Sequence, residues 1–179
     1  MAATDTLEHE HRIILLVLKA AEGEAASIGK TGSVNAGRAG KMLDFFRNFT
    51  DRCRHAKKEQ HLFVKLQEGG VAREGGPIGV MVREHEEGRR RVKAIADALP
   101  QAEQGRKKAL AALRENLSGY ADLLRAHIEK ENGVLFPMAR RILTPAEKAG
   151  SRGGLREGGS GGDGRGCSRE VPCPRPRAR

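Results

Sequence analysis

Histidine and glutamate recur four residues apart at two places in this chain, His55-Ala56-Lys57-Lys58-Glu59 and His127-Ile128-Glu129-Lys130-Glu131. On a helix, residues at that spacing lie one above the other on one face. Each pair would present an imidazole nitrogen beside a carboxylate oxygen. That donor set suits iron, manganese or zinc better than calcium or magnesium. A single such pair is common surface decoration. Two of them, each on the apolar side of a long helical stretch, point to a metal centre.

The remaining histidines sharpen the point. Of the six, His11, His55, His85 and His127 fall on apolar stripes, one in each of four predicted helices. A lone histidine on such a stripe is usually a satisfied core residue. Four of them with two glutamates are costly to bury unless something binds them. His9 is two positions from His11, on the other side of the helix, and His61 likewise turns away from His55. Cys53, two before His55, should point away from the site as a small buried residue.

The elements that must position these groups are long helices. Leu7, His11, Ile14 and Leu18 share one face of a helix over 5–26, which Thr4 or Asp5 would cap. A second helix over 39–67 carries Phe45, Phe49, Leu62 and Leu66 on the face of His55 and Glu59. A third, over 77–99, starts with Pro77 in its first turn and is broken by Pro100; its inner face reads Ile78, Met81, Val82, His85, Val92, Ile95 and Leu99. The fourth, over 102–136, lines up Leu113, Leu117, Tyr120, Leu124, His127, Glu131 and Val134, and Pro137 kinks or ends it. Thr144-Pro145 reads as the start of one more short helix. Four long helices with short connections predict an all-α, antiparallel up-down four-helix bundle over 1–148.

From 149 to 179 the composition changes. Nine Gly among the last thirty residues, with hardly an apolar side chain, cannot build a core, so the tail is expected to be disordered. Such Gly/Arg/Pro-rich ends also arise when a GC-rich gene is read out of frame. The tail holds seven Arg against three acids, and the rest of the net charge of +10 is spread over helical faces of both signs. That distribution argues against nucleic acid as a partner. Three Cys do not make a disulfide framework. The chain shows neither a signal peptide nor an apolar run of membrane-spanning length, and a cytoplasmic location is expected.

Taken together, Glu10-His11-Arg12, His55-x3-Glu59 with Leu62-Phe63, Glu84-His85-Glu86, and His127-x3-Glu131 with Leu135-Phe136-Pro137 resemble the HHE cation-binding domain of the haemerythrin family. The likeness covers about Leu7 to Leu143. It implies two non-haem iron ions, oxo- or hydroxo-bridged, inside the bundle. Glu59 and Glu131 would bridge the metals, and His11, His55, His85 and His127 would be terminal ligands. The family's oxygen carriers hold a further histidine four residues after the third-helix ligand, where this chain has Arg89. An arginine cannot ligate iron. The resemblance therefore implies open coordination positions, which Glu86, Tyr120, His61 or water would fill. The implied function is binding or sensing of a small ligand: oxygen, peroxide or nitric oxide. The alternatives are a di-iron oxidoreductase that turns over peroxide or nitric oxide with an electron donor, and an iron-store or iron-sensing module. A closed structural zinc site fits six such ligands poorly.

Overall fold

The computed structural model describes residues 3–56 and 58–143, leaving aside the side chains of 3–6 and of Cys53. The Thr144-Pro145 helix start and the 149–179 tail lie outside the described residues. Within them the architecture is all helical. Helix α1 is Ala3–Thr31. The second arm begins with α2 (Ala36–Phe45), continues as π-helix over Phe46–His55 and Lys58–Leu62, and ends in α3 (Phe63–Glu68). The third arm is α4 (Pro77–Glu103). The fourth is α5 (Lys107–Lys130), followed by π-helix over Glu131–Leu135 and by α6 (Phe136–Ile142).

Pairings along the arms give the topology. Glu22 of α1 meets Arg125 of α5, and Glu10 meets Arg54 of the second arm. Arg89 of α4 reaches back to Asp51, and Glu84 reaches forward to His127. In each pair of neighbouring arms rising numbers on one meet falling numbers on the other, so consecutive arms are antiparallel and the fourth closes against the first. This is the expected four-helix bundle.

Several boundaries differ from expectation, each for a local reason. Thr4 and Asp5 lie inside α1 rather than at its cap. The helix runs through Ala26 and Ser27 and stops only at Gly32, whose φ of 66° is left-handed. Asn35 caps α2 by accepting the Arg38 N–H at 3.0 Å. The buried carboxylate of Glu24 accepts the Asn35 N–H at 2.7 Å and so staples this loop to α1. Pro100 does not break α4. It is exposed and falls in the last turn, three residues before the helix ends at Glu103. The stop is Gly105, with φ 72° and a bond from Arg106 N to Gln101 O at 3.2 Å. Pro137 falls in the first turn of α6 and the chain stays helical to Ile142.

The core has two parts. A large cluster joins Ile14, Leu18, Phe46, Ile95, Leu113, Leu117 and their neighbours. A smaller one at the other end joins Phe63, Leu66, Ile78, Met81, Leu135 and Ala139. The polar residues buried near one another, His11, Arg54, His55, Lys58, His85, His127 and Glu131, come from the level of the bundle between these two clusters.

Candidate metal centre

Three imidazoles meet in the middle of the bundle. One ligand atom from each of His55, His85 and His127 lies within 4.8 Å of the other two, and all three residues are buried. They come from three different arms. The His55 and His85 rings stack with centroids 3.8 Å apart, and His127 lies edge-on to His55 at 5.7 Å. Phe63 also stacks on His85 at 5.9 Å, and Phe136 stacks on His11 at 5.5 Å. Phe63, from the smaller cluster, and the fully buried Phe136 thus cover two rings of the polar layer.

Hydrogen bonding fixes which nitrogen of each ring points inward. His85 Nδ1 bonds Glu59 Oε1 at 2.6 Å, and His127 Nδ1 bonds Glu84 Oε2 at 2.9 Å. A carboxylate only accepts, so both Nδ1 atoms carry hydrogen in the neutral rings. Their Nε2 atoms then hold lone pairs, and these face each other across 3.3 Å. Two acceptors this close repel unless a proton or a metal cation lies between them. Carboxylates behind the imidazoles are the usual support of metal-bound histidine. His55 adds a buried Nδ1 with no hydrogen-bond partner, since the nearest carboxylate, Asp51, is 3.6 Å away.

The electrostatics agree. Burial, then the charges of His55 and Lys58, hold His85 far below the ordinary histidine range. His55 is also well below it, through burial and then Lys58. Both rings are therefore neutral near pH 7, the form a metal ligates. The donor set fits a transition-metal cation: three buried imidazoles converge, and one of them has a ring nitrogen without a hydrogen-bond partner.

Beside the triad is a second group of different character. Glu131, fully buried, accepts from His11 Nε2 at Oε2, at 2.9 Å, and from Lys58 Nζ at Oε1, at 2.5 Å. His127 Nε2 stands 3.4 Å from the same Oε1. His11 Nδ1 bonds Asn132 Oδ1 at 2.8 Å. Burial raises the Glu131 carboxyl, but the Lys58 ammonium and the bond from His11 prevail and hold it well below the usual range. Arg54, 1% exposed, bonds Glu10 at 2.8 Å and the Leu7 carbonyl at 3.1 Å.

All six expected ligands thus belong to one connected polar layer, in two settings. His55, His85 and His127 converge on one point. Glu131 and His11 bond each other, and Glu59 lies behind His85, half-buried, where it also accepts from Arg89 Nη2 at 2.9 Å. The candidate extra ligands do not join them. Glu86 and His61 are exposed, as is His9. Tyr120 is buried against Phe46, with ring centroids 4.5 Å apart, and burial raises its phenol. Gly88 faces the Tyr120 ring, where a Cβ would stand at an ordinary contact distance of 3.6 Å.

Lys58, Arg54 and the supporting role of Glu84 escape the sequence reading. The clue to the lysine was present, because Lys58 lies three residues after His55. An open cleft of about 530 Å³ leads in from the side, lined by Asp51, His55, Gly88, Arg89 and Tyr120 among others.

Residues 2–139 match the haemerythrin HHE cation binding domain. The chain belongs to that family. The HHE domain therefore accounts for nearly all of the described bundle, and its cation-binding character agrees with the three converging imidazoles. A curated relative is the iron-sulfur cluster repair protein YtfE of Edwardsiella ictaluri (strain 93-146), 31% identical over 134 residues, or 73% of this chain and 59% of that protein. The chain thus spans well under two thirds of that relative's length. No solved structure gives a significant match. Among the described residues, no helix is long and apolar enough to cross a membrane.

Proposed function

We propose that this HHE domain is a non-haem iron protein that binds or senses a small ligand (oxygen, peroxide or nitric oxide) at the centre formed by His55, His85 and His127. The observation that carries the reading is the inward pair of Nε2 lone pairs, 3.3 Å apart, beside an unpartnered His55 Nδ1. The choice of iron is supported by the resemblance to a relative named for iron–sulfur cluster repair. Bound there, iron would supply a redox-active Lewis acid with room for an exchangeable ligand. The protein's part is to orient and to shield. Glu59 and Glu84 hold two imidazoles in one tautomer and aim their Nε2 atoms inward. Phe63 and Phe136 cover the rings of His85 and His11. The lateral cleft is wide enough for a diatomic molecule or peroxide, and Arg89 at its edge is held by Asp51 and Glu59. We place the protein in the cytoplasm, without a membrane or nucleic-acid partner.

The test is metal analysis of protein purified without added metal, followed by stopped-flow mixing of the reduced protein with oxygen, peroxide or nitric oxide. Iron with a fast spectral change on mixing is the expected result. Colourless protein that holds zinc or nothing would overturn the reading. Multiple turnover with an electron donor would identify an oxidoreductase, and a stable reversible adduct a carrier or sensor.

A further inference from the structure

The resemblance implies two metals, and the side chains around Glu131 have a different composition from the triad. A bridging carboxylate needs an oxygen for each metal. Both oxygens of Glu131 are already engaged, Oε1 by the Lys58 ammonium at 2.5 Å and Oε2 by His11 at 2.9 Å. The other expected bridge, Glu59, lies behind His85 on the nitrogen that faces away from the triad, and it also carries Arg89. Glu59 thus faces away from the triad, and the Glu131 oxygen nearest to it, Oε1 at 3.4 Å from His127 Nε2, is the one that the Lys58 ammonium holds.

Charge leads to the same result. Glu131 is compensated by Lys58, and Glu10 by Arg54 at 2.8 Å, with both cationic side chains only 2% exposed. A second dication at this place would share a low-dielectric layer with two buried cations, where like charges repel most strongly. Arg54 and Lys58 are four apart, the same spacing as His55 and Glu59. The π-helical winding of this arm turns both members of the basic pair inward, but only the histidine of the acidic pair fully so.

The geometry points to a centre with one metal ion, held by His55, His85 and His127, in which the Lys58 ammonium, with Arg54 behind it, takes the place of a second cation beside Glu131. This inference rests on the metal-binding reading above and changes its stoichiometry. Its consequence is chemical: a lone iron beside a buried ammonium supplies one electron per centre, where a bridged pair supplies two.

The experiment titrates the metal-free full-length chain with ferrous iron under anaerobic conditions. It counts tightly bound equivalents and then records the paramagnetic resonance spectrum after oxidation. Wild type should saturate at one equivalent and give the signal of an isolated ferric ion. Lys58→Glu combined with Arg54→His restores a carboxylate and an imidazole at ligand spacing, and should raise uptake to two equivalents with loss of that signal through coupling. Two tight equivalents in wild type with a silent oxidised spectrum would overturn the inference and leave the iron reading intact. No uptake in wild type would instead overturn the iron reading. The wild-type count decides the matter even if the double variant does not fold, and a folded double variant that still takes one equivalent would count against Lys58 as the occupant of the second position.

Discussion

Removing the Glu131 carboxylate tests the buried ion pair without any metal present. In Glu131→Ala the Lys58 ammonium, 2% exposed, stays in the core without its partner at 2.5 Å, and His11 loses its bond at 2.9 Å. Breaking a buried pair by removing one member costs about 3–5 kcal/mol, because the remaining charge is uncompensated. For a chain of 179 residues, each kcal/mol moves the melting temperature by roughly 2–4 °C, so a fall of about 6–20 °C is expected. Replacing both partners with apolar residues of similar volume, Lys58→Met with Glu131→Met, removes the stranded charge. It should return to within about 1–2 kcal/mol of wild type. The assay is urea unfolding followed by circular dichroism, in chelator, for wild type, both single variants and the pair. A loss below about 1 kcal/mol in Glu131→Ala, or a double variant no better than that single one, would refute the buried pair.

Two further outcomes are open to simple measurement. In metal-free protein, burial lowers the folded pKa of His55 and His85 below the ordinary 6.5, so the unfolded chain takes up protons first as pH falls. Stability should therefore be complete above pH 6.5 and decline below it, with a limiting slope of about 1.4 kcal/mol per pH unit for each such histidine; denaturant midpoints that stay flat from pH 7 to pH 5 would contradict the neutral burial of these rings. Gly69→Ala would place a Cβ 2.2 Å from Ile142 Cγ2, where α3 meets α6, and should cost about 1–3 kcal/mol through overpacking, read as a lower melting temperature.

Helical periodicity made the bundle and most of its inner stripe legible. Ile14, Leu18, Ile78, Met81, Leu113, Leu117, Leu124 and the four expected histidines are all buried. The misses collect where the winding changes. An α-helical reading puts Phe45, Leu62 and Val134 inward; Phe45 and Leu62 do pack against the core, but Phe46, Phe63 and Leu135 are the residues fully buried, and Val134 is 47% exposed. Each shift is by one residue and falls beside a π-helical segment, where i→i+5 bonding adds a residue to the turn and rotates the side chains beyond it. The same rotation carries Lys58 into the core and leaves Glu59 at its edge. No residue pattern in 46–62 announces a π-helix. The helix ends depart from expectation for a different reason: proline and serine suggest stops, while the left-handed glycines Gly32 and Gly105 are where the helices end.

The polar layer divides the bundle's apolar interior into two separately packed blocks. Such a molecule need not open as one unit, because each block can lose its contacts while the other keeps them. The smaller block is assembled from short or terminal pieces, α3, the start of α4, the end of the π-helical segment at Leu135, and α6, so it has the weaker hold. A cation bound by His55, His85 and His127 would act as a rivet through three arms at the boundary between blocks. Amide hydrogens of α3 and α6 would then exchange more slowly on metal loading, although neither helix supplies a ligand. The far end of the bundle would thus register whether the centre is filled, through cooperativity of folding rather than through any displacement of atoms.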